Sequence, residues 1–279
     1  MDQNERLDFL VDRFKEDSER YRDLSVGDTS EEKRAALRSL MNIRMPRPMD
    51  EITLRVQDEY LRERVEQVGI VTLADIPTLR EAFGVDAPFA DTLCLWQGDI
   101  TQLSADAIVN AANSGMLGCF VPMHTCIDNC IHTYAGIQLR AECERQMAQL
   151  RRRYGADYQQ PTAAPMLTDG YNLPAKHVIH IVGPIVEGSL TRRHETALAD
   201  CYRNTLEMCA ENGLSSVAFC GISTGVFRFP ADRAAEIAVE TVTRWLAAHD
   251  GVMDRVIFNV FSDKSRLIYE RIFINQSRR

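Results

Sequence analysis

The stretch Asp106-Ala107-Ile108-Val109-Asn110-Ala111-Ala112-Asn113 continues through Gly118-Cys119-Phe120-Val121-Pro122-Met123-His124-Thr125-Cys126-Ile127-Asp128-Asn129 into a segment rich in helix formers. A short β-branched apolar run predicts a buried strand, and a strand feeding a helix through a loop predicts α/β architecture. Cys119, His124 and Cys126 put two thiols and an imidazole on that loop, with Pro122 bending the chain between them. Two thiolates and a neutral imidazole hold zinc, and three protein ligands leave a fourth position for water or substrate, as catalytic sites require. Plainer readings stand beside this one. Cysteine is often a small buried hydrophobe, a single histidine is commonly a satisfied surface or core residue, and Cys-x4-His-x-Cys matches none of the standard finger spacings. Position favours chemistry, because strand-to-helix loops carry it in α/β proteins.

Working outward, Thr92-Leu93-Cys94-Leu95-Trp96 predicts a strand closed by Gly98-Asp99-Ile100-Thr101. A long helix is predicted from Thr125 to Arg152, a strand over Lys176–Val182, and a helix over Glu195–Asn212 stopped by Gly213 in a left-handed cap. Ser216–Cys220 is a core strand leaving through Gly221-Ile222-Ser223-Thr224-Gly225-Val226-Phe227. Pro230 opens a helix reaching His249. Arg255–Val260 is the last strand, and Ser262-Asp263 caps the final helix. Strands alternating with helices indicate a layered α/β domain over residues 91–279.

Residues 1–90 read differently. Leu7, Leu10, Val11 and Phe14 recur at helical spacing, Ser30 is placed to cap a second helix running to Asn42, and a third covers Asp50–Val68. A fourth starts near Ile76-Pro77-Thr78-Leu79. This helical extension contains no histidine and no cysteine, so its predicted role is packing or recognition.

The net charge of −8 argues against a general nucleic-acid binder, and the one basic block, Arg151-Arg152-Arg153, falls at a helix end that favours cations. Eight cysteines scattered over residues 94–220 do not form the framework of a small disulfide-bonded domain. No apolar run approaches the roughly 18 residues of a membrane span. The charged start Met-Asp-Gln-Asn-Glu-Arg is unlike a signal peptide, so a cytoplasmic location is expected.

Several further residues invite chemistry. In Gly221-Ile222-Ser223-Thr224-Gly225 two glycines permit close approach of the backbone to a ligand, and successive amides can form an anion-binding nest; a tight turn is the alternative. Asp99 can accept hydrogen bonds from an adenine amino group or cap a turn. Asn113 can serve a sugar hydroxyl or an Asx turn. Asp128 can orient a metal-bound water or stabilise the helix dipole, with His132 either its partner or a surface histidine.

Gly98-Asp99-Ile100-Thr101, then Asn110-Ala111-Ala112-Asn113, then Gly221–Phe227 resemble the ordered signature of macrodomains over roughly the last two-thirds of the chain. In place of the usual glycine-rich first loop, the cysteine loop and its continuation through Ile131-His132 and Tyr134–Arg140 resemble the zinc-dependent microbial branch, which also carries a helical N-terminal extension.

That resemblance implies a three-layer α/β fold with a central mixed sheet, and an ADP-ribose pocket across the strand ends. Asp99 and Ile100 would meet adenine. Ser223, Thr224, Gly225, Val226 and Phe227 would surround the pyrophosphate and distal ribose, which Asn113 would also contact. Phe261 is a weaker candidate for packing on adenine, core being its alternative.

One Zn2+ on Cys119, His124 and Cys126, with Asn113 and Asp128 as catalytic residues, would hydrolyse mono-ADP-ribose from modified protein. Cys130 is the fallback ligand. The alternatives are an ADP-ribose reader with structural zinc and an O-acetyl-ADP-ribose deacetylase. The implied partners are an ADP-ribosylated protein such as a lipoylated carrier, and a sirtuin-type ADP-ribosyltransferase.

Overall fold

Six strands supply the frame of the computed structural model, which describes residues 1–276. They are β2 (Leu93–Gln97), β4 (Ala107–Ala112), β5 (Met166–Asp169), β6 (His177–Val182), β7 (Ser216–Phe219) and β8 (Arg255–Val260), ordered β2-β8-β7-β4-β6-β5. Every pair is parallel except β5 with β6, so the sheet is mixed, with its one antiparallel strand at an edge. The interior strands are buried along almost their whole length, as strands covered on both faces must be. A small parallel pair, β1 (Val71–Thr72) with β3 (Leu103–Ser104), lies outside this sheet.

Helices complete the layers. Asn110 and His180 are register partners in β4 and β6, and Asn110 reaches Asp128 of α5 (Ile127–Ala135). That face therefore belongs to α5 and its successor α6 (Ile137–Tyr154). Elsewhere on the sheet, Tyr202 of α7 (Arg192–Glu211) packs on Phe219, and Tyr269 of α9 (Asp263–Gln276) packs on Phe258, with α8 (Ala231–Ala248) between those helices.

The helix predicted over Thr125–Arg152 is two helices, separated at Gly136 with φ +94°. That positive-φ conformation is open to glycine at little cost. Gly136 has no side chain to cap α6, and the buried Gln57 does so instead, accepting from the Ile137 amide at 3.1 Å. Helix starts differ elsewhere too. Thr29, not Ser30, caps the second helix through a reciprocal box with Glu32, and α7 begins earlier than Glu195, at Arg192, behind Thr191. Gly213 does adopt the expected left-handed conformation, at φ +65°.

Before the sheet, α1 (Gln3–Glu16), α2 (Ser30–Ile43) and α3 (Glu51–Val68) gather Leu7, Leu10, Phe14, Leu37, Leu40, Val56 and Leu61 into a core of their own. Leu79, opening α4 (Leu79–Phe83), packs instead with the sheet's core. Among the described residues, no helix is long and apolar enough to cross a membrane.

Candidate active site

Because β2, β4, β7 and β8 run parallel, the chain leaves all four at one edge of the sheet, where open α/β folds bind ligands. Asp99 follows β2, Asn113 follows β4, Gly221 follows β7 and Phe261 follows β8. The strand order thus collects segments that lie more than a hundred residues apart in sequence.

Asp99 caps a short turn, its Oδ1 accepting from the Thr101 amide at 2.9 Å and from the Thr101 hydroxyl at 2.7 Å. Its partly exposed carboxylate keeps a second oxygen beyond that turn. The Ile100 side chain is buried, so this residue offers a ligand only its main chain. Phe261 is not core: 81% of it is exposed, immediately beyond the β8 end that holds Gly98 by a backbone hydrogen bond.

The loop after β7 is shaped by its backbone. Ser223 sits at φ +63° and receives the Phe229 amide on its carbonyl, while the Thr224 hydroxyl closes back on Gly221 O at 3.0 Å. Among the described residues, the amides of Gly225, Val226 and Phe227 meet no backbone carbonyl, which leaves a row of donors for an anion. Thr224, Gly225 and Val226 are exposed and Phe227 half-buried, whereas the Ser223 side chain is buried against Gly183.

The loop after β4 carries the donor cluster. Cys119 Sγ lies 3.5 Å from His124 Nδ1, and the ligand atoms of Cys119, His124 and Cys126 all fall within 4.8 Å of one another. Burial, with Cys119 alongside, pushes the Cys126 thiol up to about 12. Thiols crowded in this way ionise readily only around a cation, which deprotonates its thiolate ligands outright. The soft donor set of two sulfurs and one nitrogen suits zinc, and its three members leave room for a further ligand. Cys126 also caps α5, accepting from the Asn129 amide at 3.4 Å. Cys130 lies outside the cluster, its thiol against Arg38 at 3.6 Å.

Just past Cys126, in the first turn of α5, Asp128 is buried in a network. Oδ1 accepts from Asn110 Nδ2 at 2.8 Å, and Oδ2 accepts from Asn113 Nδ2 at 3.3 Å. Burial raises its pKa to about 6, against the opposing pull of the Asn110 hydrogen bond and Arg140. Asn113 also closes an Asx turn onto the Gly115 amide and donates to Gly118 O, so the Asx reading of this residue holds while its amide still reaches Asp128. His132 is not a surface residue. It is buried, its Nε2 is 3.6 Å from Asp128 Oδ1, and burial holds its pKa well down. Its ring fills the space under Gly118, where a Cβ would come within 2.8 Å of ring carbons.

Three supporting residues lie outside the sequence reading. Asn110 bridges Asp128 to His180 Nδ1 at 3.0 Å, and His180 Nε2 meets the Thr168 hydroxyl at 3.0 Å. Burial holds His180 neutral, with its pKa down at about 3. Arg140, buried on α6, donates to Leu117 O at 2.7 Å behind the cysteine loop. A polar residue inside an otherwise apolar strand was the available signal for the first two.

A mixed α/β sheet between helices, with these loops gathered where its parallel strands end, is the architecture of the macrodomain class. The Macro domain family matches residues 109–238. A protein-ADP-ribose hydrolase of Treponema medium is 46% identical over 272 residues, spanning 98% of this chain and 99% of that protein. One from Staphylococcus aureus is 39% identical over 269 residues, 96% of this chain and 95% of its own length. Among solved structures, the Trypanosoma brucei macrodomain in complex with ADP-ribose superposes with a TM-score of 0.63 at 28% identity, covering 88% of this chain and 97% of that one. The chain belongs to the macrodomain family, and its similarity to the protein-ADP-ribose hydrolases extends through the N-terminal helices as well as the sheet.

Proposed function

We propose that this protein is a zinc-dependent hydrolase that removes mono-ADP-ribose from modified protein side chains by cleaving at the distal ribose. The observation that carries this reading is the meeting of the Cys119–His124–Cys126 cluster with Asn113 and Asp128 at the strand edge that also presents the 225–227 amides. The relatives named as protein-ADP-ribose hydrolases support the reaction class.

In this reading the free amides of Gly225, Val226 and Phe227 hold the pyrophosphate, Asp99 accepts from the adenine amino group, and Ile100 adds its main chain. The exposed Phe261 packs on adenine. Ser223 and Thr224 set the loop's turn, and Asn113 orients the distal ribose. Zinc held by Cys119, His124 and Cys126 would supply Lewis-acid chemistry, lowering the pKa of bound water toward ~7 and polarising an oxygen. Asp128 takes the proton of the attacking water on Oδ2, whose hydrogen bond from Asn113, at 3.3 Å, is longer than the 2.8 Å bond that Asn110 makes to Oδ1. Three ligands rather than four favour catalysis over a structural zinc.

All eight cysteines are free, five of them buried, which supports a reducing, cytoplasmic setting. A lipoylated carrier as substrate protein, and a sirtuin-type ADP-ribosyltransferase as counterpart, rest on the family resemblance alone.

The test is to give the purified protein a mono-ADP-ribosylated protein and, separately, O-acetyl-ADP-ribose, and to follow free ADP-ribose. Faster release from the protein conjugate is expected. Preference for the acetyl ester would make the chain a deacetylase, and tight binding with no release would make it a reader.

A further inference from the structure

The loop that carries Cys119, His124 and Cys126 is held from outside the sheet. Residues 118–126 belong to no strand or helix, and side chains grip their main chain instead. Arg38 of α2 donates from Nη2 to His124 O at 2.8 Å and to Asn129 Oδ1 at 3.0 Å. Asn129 in turn donates to Val121 O at 2.9 Å. Asn42, buried near the end of α2, accepts from the Met123 amide at 3.1 Å and donates to Thr133 Oγ1 at 2.9 Å.

Arg140 closes the structure from the other side. Its Nη1 donates to the carbonyls of Met41, Asn42 and Arg44 at 3.1, 2.8 and 2.7 Å, which also satisfies α2 at its C-terminal end. The same guanidinium reaches Leu117 O at 2.7 Å and Cys119 O at 3.5 Å, and lies 4.2 Å from the centre of the Phe120 ring. The carbonyls of two of the three donor residues, Cys119 and His124, are thus tied to α2 or to the residue that binds α2.

We infer that α2 and Arg140 form a clamp on the metal loop, with Arg38 and Asn42 as positioning residues for the metal donors. The N-terminal helices are then part of the metal site. An irregular loop that gathers three donors around an ion loses conformational freedom as it does so. A loop already fixed by its carbonyls loses less, and must break those hydrogen bonds before it can release the ion. This inference rests on the zinc reading of the site.

The experiment follows zinc transfer from the loaded full-length protein to a chromogenic chelator, with ADP-ribose affinity measured by calorimetry as a check that each variant is folded. Arg38→Gln and Asn42→Ala are expected to release zinc at least about tenfold faster than the native protein, the size of effect that outer residues have on metal sites. Arg38→Lys, which keeps the charge and loses the fork, should fall between Arg38→Gln and the native protein. Lys33→Ala is the control: it removes an ion pair to Asp8 within the same helical region, away from the loop, and should match native release. Should Asn42→Ala fail to fold, Arg38→Gln decides, since Arg38 is only half-buried. Native release rates in a folded Arg38→Gln would overturn the clamp and leave α2 with packing alone. A native protein that takes up no zinc at all would overturn the zinc reading, and this inference with it.

Discussion

The loop after β7 and the loop after β4 leave neighbouring strands at the same edge, yet one is shaped by its backbone and the other by side chains from elsewhere. Residues 221–227 turn on a left-handed Ser223 and on the Thr224 hydroxyl closing onto Gly221, all within the loop itself. Residues 118–126 depend on Arg38, Asn42, Asn129 and Arg140, drawn from α2, α5 and α6. A backbone-built loop offers amides to a constant group such as a phosphate. A loop built from distant side chains can place a few reactive groups, but only once the rest of the molecule has folded around it.

That contrast predicts separable failures. The largest effect should come from the side-chain loop. Asp128→Asn keeps the size of the side chain, removes the proposed base and can accept from only one of Asn110 and Asn113, so kcat should fall by about 10²–10⁴-fold, while calorimetric affinity for ADP-ribose stays near native. A comparable loss of binding would mean that the two loops do not divide the work.

The backbone loop breaks differently. A Cβ on Gly183 would stand 2.1 Å from Ser223 Oγ and 2.8 Å from Ile222 Cγ2, so Gly183→Val crowds the buried side chains beneath the turn that presents the amides and should shift it. ADP-ribose affinity should weaken by roughly 10–100-fold, the range of one lost charge-assisted hydrogen bond. Zinc content should be untouched, and joint loss of metal and ligand would couple the loops.

A smaller effect should appear in acid. His180, packed with Cys143 and 5.7 Å from the His132 ring, has its pKa lowered by burial to about 3. Below the ordinary histidine value the unfolded chain takes up a proton that the folded chain refuses. This contribution to stability is complete above about pH 6.5 and lost as pH falls toward 3, about 1 kcal/mol of it between pH 7 and 5.5. Chemical denaturation at those two pH values, on native protein and His180→Asn, measures it. An equal acid loss in the variant would remove His180 from the account.

Much of this fold is legible in sequence because its strands are short apolar runs bounded by turn residues, and the three motifs follow strands in order. The donor cluster is legible because its members sit within eight positions of one another. What sequence does not show is tertiary in origin. The break at Gly136 depends on Gln57, eighty residues away, capping the second helix. The edge strand Met166–Asp169 is four residues long, and although its burial alternates, its apolar Met166 and Leu167 stand side by side, so it leaves little signal in sequence. Asn110 and His180 acquire their role from the register of β4 against β6, and Arg140 from its reach to α2.

The central claim is that the cysteine loop holds a zinc ion on which turnover depends. Zinc content and release of ADP-ribose from a mono-ADP-ribosylated protein, measured together on native protein and on Cys126→Ala, test it most directly. The account predicts about one zinc per native chain, as a single three-donor site requires, with both metal and turnover lost in the folded variant. Equal turnover by the two proteins would contradict it and leave the reaction to Asn113, Asp128 and the backbone loop.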